Sequence, residues 1–539
     1  MTAVASVALR AVRVFISSGM AGLTMKVLCG LLVAALLFAS AAARAGFDEG
    51  ASAYSRGNYP LALKELGPAA RNGDMRAQFY IGVMLDQGLG VAQDEKQAAE
   101  WYRKAAEQGH AEAQHNLGLM YDLGQIVLQD YKVAAEWYRK AAEQGYAEAQ
   151  HNLGIMYDLG RGVPQDDSEA SKWYRKAAEQ EYADAQNNLG IMYRHGRGVA
   201  RDYKAAAEWY RKAAEQGNTD AQNNLGMLLE QAHGVAGSRE IAAEWYRKAA
   251  EQGNADAQNN LGVMYHNGSG VAQDFKAAAE WYRKAAEQGN ADAQHNLGVL
   301  YQQGHGIARD DRKAAEWYRR AAERGRVDSQ YNIGAMYHHG RGVARDYKAA
   351  AEWYRKAAEQ GNGDAENNLG AMYLEGMGVA QNNGEAIAWY ERAARHGSVE
   401  AQYNLARLYE RGEVVLQDYR LAAELYRMAA RQGNAAAQNG LGMMYRKGLG
   451  VEQDDRGAAQ WYLKAAEGGN AEAQYSIGMM YKQGDGVSAD MVQACKWLNL
   501  AVLAGNEDAQ TTIKSLEDKM TPEQIELALS MAREWMGKH

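Results

Sequence analysis

Apolar residues recur with helical spacing in two successive segments of residues 255–290. In the first segment Ala257, Leu261, Met264 and Tyr265 stand at i, i+4, i+7 and i+8, which places them on one helix face. In the second segment the same spacing recurs at Ala278, Trp281, Tyr282, Ala285 and Ala286. Each segment therefore predicts an amphipathic helix with one apolar face.

Turn and cap residues bound these two helices. Gly268 and Gly270 lie in the connection "GSGVAQD", where glycine suits a positive φ. Asp274 is the predicted N-cap of the second helix, and Gly289 predicts its left-handed end. The unit is therefore expected to be a helix–turn–helix hairpin.

The unit repeats every 36 residues without insertion or deletion. Twelve units fill residues 75–506, and a period in the range of roughly 20–50 residues is typical of stacked, solenoid architectures. Leu425 replaces the tryptophan once. The tryptophans that mark the period are Trp101, Trp137, Trp173, Trp209, Trp245, Trp281, Trp317, Trp353, Trp389, Trp461 and Trp497.

A glycine inside the first helix recurs at the position of Gly262 in eleven of the twelve units. Glycine in a helix interior costs about 1 kcal/mol relative to alanine, so its recurrence needs a reason. We expect close helix approach, with the Trp or Tyr of the next helix filling the space beside the missing side chain.

The ends of the array differ from its interior, as capping units should. Residues 46–74 resemble a unit with a shorter turn, and residues 507–539 are predicted to form capping helices. Thr521 to Gln524 reads as a capping box that opens a last helix. Ile525, Leu529 and Trp535 of that helix are expected to cover the final repeat.

Residues 1–45 have the pattern of a secretory signal peptide. Lys26 precedes the apolar run Val27–Phe38, and Ala43-Arg44-Ala45 fits the cleavage rule. Met25 is an alternative start, and a membrane anchor is the alternative interpretation, although the run is short for a span. We therefore expect export to the periplasm or out of a bacterial cell.

The remaining chain is acidic and poor in cysteine. Residues 1–45 hold four basic and no acidic residues, so the rest carries 55 basic and 67 acidic side chains, a net charge of −12. Nucleic acids reward a basic surface, and we expect no nucleic-acid partner. Cys495 is the single cysteine beyond residue 45, which excludes an internal disulfide there.

The repeated string "AxAQxxLGxMYxxGxGVxxDxxxAAxWYxxAAxxG" resembles the Sel1-like repeat (SLR) family, a relative of the tetratricopeptide repeat. The resemblance implies an all-α, right-handed α/α superhelical solenoid with a concave groove lined by first helices. It also implies an adaptor role: in bacterial signalling, as a factor of the cell envelope, or in binding host proteins. Some cysteine-rich relatives are associated with β-lactam binding or hydrolysis, but their paired cysteines are missing here.

The repeated Glu-Trp-Tyr-Arg phrase is interpreted as packing, not as a copied catalytic site. A site is usually built once, from groups that converge on one pocket. Glu280 and Lys284 suggest an ordinary i, i+4 ion pair. The adjacent His338 and His339 lack the spacing of metal ligands. We predict no catalytic residue, no metal and no cofactor.

A row of asparagines occupies one position of nine first helices. Asparagine is a mediocre helix former, so the recurrence has a cause. Hydrogen bonding between neighbouring repeats is one interpretation, and binding of an extended peptide backbone along the groove is the other. The candidate binding residues of this asparagine row are Asn188, Asn224, Asn260, Asn296, Asn332 and Asn368.

The repeats differ most at the positions just after the tyrosine of the first helix, a set of positions we call the rim. Neutral drift at exposed sites is one explanation of this variation, and specificity for a partner is the other. The rim candidates are Arg194, His195, His266, Gln302, His338 and His339.

These patterns together predict a noncatalytic, exported scaffold that binds a protein or extended peptide through its groove or rim. A host-protein-binding factor and a polysaccharide- or envelope-associated structural factor are the alternatives. A β-lactamase-like enzyme is the least favoured.

Overall fold

A computed structural model describes residues 46–124, 126–231 and 239–538, so the predicted signal peptide lies outside the described residues. Every regular element in these ranges is a helix. The chain divides into two compact units, unit 1 (Met1–Gln273) and unit 2 (Asp274–His539). Within each unit consecutive helices pack as antiparallel hairpins, and the predicted all-α solenoid class is confirmed.

In the described part of unit 1, residues 46–124, 126–231 and 239–273, α1 includes residues 46–55 and twelve helices follow it. They are α2 Tyr59–Arg71, α3 Met75–Gln87, α4 Glu95–Glu107, α5 Ala111–Leu123, α6 Tyr131–Glu143, α7 Ala147–Leu159, α8 Asp167–Glu179, α9 Ala183–His195, α10 Tyr203–Glu215, α11 Thr219–Glu230, α12 Arg239–Glu251 and α13 Ala255–Asn267.

The described residues of unit 2, 274–538, form fifteen helices. They are α14 Phe275–Glu287, α15 Ala291–Gln303, α16 Asp311–Glu323, α17 Val327–His339, α18 Tyr347–Glu359, α19 Gly363–Glu375, α20 Asn383–Arg395, α21 Val399–Arg411, α22 Tyr419–Arg431, α23 Ala435–Lys447, α24 Asp455–Glu467, α25 Ala471–Gln483, α26 Met491–Leu503, α27 Glu507–Glu517 and α28 Pro522–Lys538.

Cap chemistry sets the helix ends where the sequence predicts them. Asp274 Oδ1 accepts hydrogen bonds from the backbone N–H groups of Lys276 (2.9 Å) and Ala277 (3.0 Å). These bonds satisfy donors that have no partner within the helix. Gly268 has φ 66° and Gly289 has φ 94°, the left-handed backbone that glycine adopts without strain.

In most first helices the interior glycine makes room for a tyrosine of the following second helix, whereas Gly478 faces Leu498 and Ala406 takes the place of the glycine once. A Cβ atom on Gly190 would lie only 2.6 Å from Cδ1 of Tyr210, which is fully buried. The same contact joins Gly118 to Tyr138. Close approach is thus confirmed, and of the two expected aromatic residues it is the tyrosine that fills the space.

The helical spacing places the tryptophans of the repeat on the apolar face, but most of them are not fully buried in the structure. Trp209 and its equivalents are half-buried, whereas only Trp497, next to the C-terminal cap, is almost fully buried. The ammonium group of the lysine three residues later lies over the exposed ring face, 4.0 Å from the centroid for Lys284 and Trp281. Lys284 is therefore engaged in a cation–π contact instead of the expected pair with Glu280.

The C-terminal helix α28 begins with the predicted capping box. The Thr521 N–H donates to Gln524 Oε1 (3.0 Å), and the Gln524 N–H donates to Thr521 Oγ1 (3.3 Å). Trp535 packs on Trp497 with ring centroids 6.5 Å apart. Ala528 and Ala532 form the buried stripe of this helix, whereas Leu529, expected to cover the repeat, is 37% exposed.

Candidate functional site

Side chains of the asparagine row join neighbouring first helices. Within unit 1, Asn224 Nδ2 donates to Asn187 Oδ1 at 2.9 Å, and Asn260 Nδ2 donates to Asn223 Oδ1 at 3.0 Å. Asn188 Nδ2 lies 3.1 Å from Nε2 of His151. Each bond crosses from one repeat to the previous one. These bonds explain why asparagine recurs in the first helices although it is a poor helix former.

Members of the row also act on the buried tyrosines. Burial raises the pKa of Tyr318 and of Tyr354, and the nearby Asn332 and Asn368 amides oppose that rise. Asn296 occupies the same half-buried position, as do the other candidates. The row therefore has a structural role in many repeats, while peptide binding by its partly exposed amides stays a prediction.

The rim positions separate into an inward and an outward residue. The first residue after the tyrosine is half-buried and faces the hydroxyl of the next second helix: Tyr318 Oη donates to Gln302 Oε1 at 2.7 Å. Burial raises the pKa of Tyr210 to about 12, and the positive charge of Arg194 opposes that rise. His266 and His338 hold the same half-buried position.

The next residue along each first helix is exposed, because one helical step turns the side chain by about 100°. His195 and His339 are the candidates at this outward position. The outward residues and the turns that follow them form the accessible part of the rim. Its side chains are partly interlocked, since Arg197 Nη1 lies 2.7 Å from Asp158 Oδ1 of the preceding repeat.

We expect Gln302→Ala to lower the free energy of unfolding by about 1–3 kcal/mol, because it leaves the buried Tyr318 hydroxyl without its acceptor. Gln303→Ala, at the neighbouring exposed position, is expected to change it by less than about 0.5 kcal/mol. Chemical denaturation of both variants checks the division of the rim. Equal losses would show that both side chains face the same environment.

A ladder of buried glutamines was not recognised from the sequence. Gln186 Nε2 donates to the Ala178 carbonyl at 3.1 Å, and Gln186 Oε1 accepts from Gln216 Nε2 at 2.8 Å. The same pair of bonds recurs along the array, for example with Gln222 and Gln252. The signal was present in the recurring Gln of "AxAQ" and "AAEQ", but the 30-residue separation hides their contact.

One repeat replaces this ladder with charges. Glu366 stands at the glutamine position and is fully buried, with Oε1 2.6 Å from Arg392 Nε and Oε2 2.8 Å from His396 Nδ1. A carboxylate cannot donate to the Ala358 carbonyl as a glutamine would, and Arg392 Nη2 donates to it instead at 3.0 Å. The three substitutions thus compensate one another.

Two buried histidines make the stability of unit 1 depend on pH. Burial lowers the pKa of His115 and His151, so the folded chain binds fewer protons there than the unfolded chain. We expect stability to fall as pH drops below about 6.5, the value for an unfolded-chain histidine. His115→Asn/His151→Asn, which installs the residue of neighbouring repeats, is expected to flatten this loss in thermal melts between about pH 7 and 5. An unchanged slope would contradict it.

Clefts open between consecutive second helices of unit 2. One of about 620 Å³ is lined by Arg355, Glu359, Tyr373, Asn382 and Trp389. In residues 46–124, 126–231 and 239–538, no group of three or more His, Cys, Asp or Glu side chains is placed to hold a metal ion. No helix within those ranges is both long and apolar enough to cross a membrane.

Comparison with known proteins places these features in a family. A family model for the Sel1 repeat matches twelve consecutive segments between residues 76 and 506. The chain is 39% identical to a protective antigen of uropathogenic Escherichia coli with an SLR fold, at a TM-score of 0.69, over 82% of this chain and 94% of that one. A Sel1 repeat protein from Oxalobacter formigenes is 37% identical over 57% of this chain and 89% of that one, at a TM-score of 0.46. No curated protein matches the chain.

Proposed function

We propose that this chain, which belongs to the Sel1 repeat family, is an exported, noncatalytic scaffold that binds another protein through its first helices or its rim. Proteins of this family are generally protein-interaction scaffolds. An envelope signalling or regulatory adaptor is the role we favour.

One observation carries the proposal: the repeats agree where they pack and differ where they are exposed. The buried tyrosine, the helix glycine and the glutamine ladder recur through the array. Exposed positions such as His195, Gln303 and His339 change from one repeat to the next. A scaffold that presents different side chains at regular intervals suits recognition of an extended surface.

Export rests on residues 1–45 alone, whose charge and apolar run fit a signal peptide. Similarity to a bacterial protective antigen supports a role facing the host as the alternative to an internal envelope adaptor. Cell fractionation separates these locations, because a signal-bearing adaptor accumulates in the periplasm and a host-binding factor outside the cell.

Crosslinking in living cells, followed by purification under denaturing conditions and mass spectrometry, tests the binding function. We expect one or a few proteins to be enriched over a control strain expressing an unrelated exported solenoid. Absence of any enriched protein would contradict the proposal, as would turnover of nitrocefin by the purified chain.

Polysaccharide binding is a second candidate, favoured by the cleft that brings Trp389 and Tyr373 together with Arg355 and Glu359. Aromatic faces beside planar polar groups suit a sugar ring. Retention of cell-envelope polysaccharide on the purified chain, lost in Trp389→Ala, would favour this candidate over protein binding.

A further inference from the structure

A row of carboxylates lines the edge of unit 1 where three first helices begin. Glu112, Glu148 and Asp184 are the second residues of α5, α7 and α9, one repeat apart, and all are exposed. An acidic residue in the first helical turn stabilises the helix dipole, so the row has a structural explanation by itself. What surrounds the row distinguishes it from ordinary helix starts.

Tyrosine rings lie between consecutive carboxylates of this row. Tyr146 and Tyr182 precede α7 and α9 as N-cap residues, yet neither side chain caps its helix. Tyr146 Oη donates to Glu148 Oε2 at 3.0 Å. Burial, together with the charges of Glu148 and Glu112, raises the pKa of Tyr146, so both carboxylates act on one half-buried ring.

In unit 2 an arginine stands at the position that Tyr146 and Tyr182 hold in unit 1. Arg326 precedes α17 as Tyr182 precedes α9, and its Nη1 lies 2.8 Å from Asp292 while its Nη2 lies 3.0 Å from Asp328. Asp292 and Asp328 are consecutive members of the equivalent row, one repeat apart. Two successive carboxylates are thus spaced to hold one guanidinium group.

A buried histidine packs against Tyr182. His151 is 8% exposed and its ring centroid lies 5.2 Å from that of Tyr182. Its Nε2 pairs with the Asn188 amide, so the neutral ring carries its proton on Nδ1. Nδ1 is buried, and both Asn152 and Asp184 act on the ring, so His151 packs behind Tyr182 and does not itself reach a bound molecule.

We propose that Glu112, Tyr146, Glu148, Tyr182 and Asp184 form a docking surface for an extended, arginine- or lysine-rich segment of a partner protein. This inference rests on the proposed protein-binding function and names the partner chemistry. The basic side chains of the segment lie over the tyrosine rings, between the carboxylates. Packed helices are about 8–10 Å apart, so roughly three extended residues span one repeat.

The surface is confined to the first repeats because asparagine takes the tyrosine position further along unit 1. Asn218 Nδ2 donates to Asp184 at 2.7 Å, and Asn254 Nδ2 donates to Asp220 at 2.9 Å. Each amide binds one oxygen, Oδ1, of its carboxylate and presents no aromatic face, and Asp184 keeps Oδ2 for the tyrosine side of the row. Asparagine is therefore the natural replacement with which to remove the docking surface while preserving the fold.

Fluorescence anisotropy with a labelled Arg-Gly-Ser repeat peptide of about twelve residues, in about 0.15 M salt, tests the inference. We expect Tyr146→Asn/Tyr182→Asn and, separately, Glu148→Gln/Asp184→Asn to weaken binding about tenfold. The matched control Glu136→Gln/Glu208→Gln removes the same charge from the exposed faces of second helices and should bind like the wild type. Circular dichroism of every variant verifies folding.

Equal binding of the peptide to wild type, row variants and control would overturn the inference, since it would reveal only nonspecific attraction to an acidic protein. Failure of the wild type to bind would overturn it as well. The proposed function is judged separately, by the partners crosslinked in cells. If Glu148→Gln/Asp184→Asn retains those partners, the docking surface is refuted while the scaffold function stands.

Discussion

Arg392→Ala is expected to lower the free energy of unfolding of its part of unit 2 by roughly 2–4 kcal/mol, somewhat below a fully buried ion pair because water reaches Arg392. The substitution leaves the fully buried Glu366 carboxylate with His396 alone. It also removes the donor to the Ala358 carbonyl, at the end of α18. Hydrogen exchange of the α18–α20 amides is the appropriate measurement, since a long array need not unfold in one step.

The matched control replaces the charges with the residues of other repeats. Glu366→Gln/Arg392→Lys/His396→Gln should restore the glutamine ladder and stay within about 1 kcal/mol of the wild type, because buried ion pairs are often exchangeable for neutral groups. A triple variant less stable than Arg392→Ala would mean that the charges themselves stabilise this junction.

Tyr210→Ala is expected to cost roughly 3–5 kcal/mol in the repeats around it, as the truncation of a large, fully buried aromatic residue does. The cavity cannot close readily, because the ring is packed against Gly190. Hydrogen exchange in α9 and α10 should show the loss, with distant repeats unaffected since each contacts only its neighbours.

Trp209→Ala is the control one residue away. Its ring is half-buried and covered on one face by Lys212, whose Nζ lies 4.2 Å from the ring centroid. Its truncation should therefore cost less than about 2 kcal/mol. If the tryptophan variant were the less stable of the two, the tyrosine would not be the principal core residue of the repeat.

The features that the sequence predicts correctly are local or strictly periodic. The Asp274 cap, the left-handed Gly289 and the capping box at Thr521 each follow from a few neighbouring residues, and all are present. The close approach at the helix glycine followed from its recurrence. The repeat family followed from the whole string.

The features that the sequence did not predict depend on the direction in which each side chain points from its helix and on contacts between repeats. Trp209 and Tyr210 both fit the apolar face, and only their orientation toward Gly190 separates core from surface. The inward Gln302 and the outward Gln303 differ by one helical step. The charged replacement at Glu366 is intelligible only once Arg392 is seen beside it.

Site-specific photo-crosslinking in cells shows whether the repeats form a partner-binding scaffold. A benzophenone side chain is placed at one exposed position per repeat, in separate variants on the first helices, the rim and the second helices, and crosslinked in cells. We expect one partner to be crosslinked from a contiguous row of first-helix or rim positions and not from second helices. Crosslinks to no protein, or to unrelated proteins scattered over all faces, would contradict it.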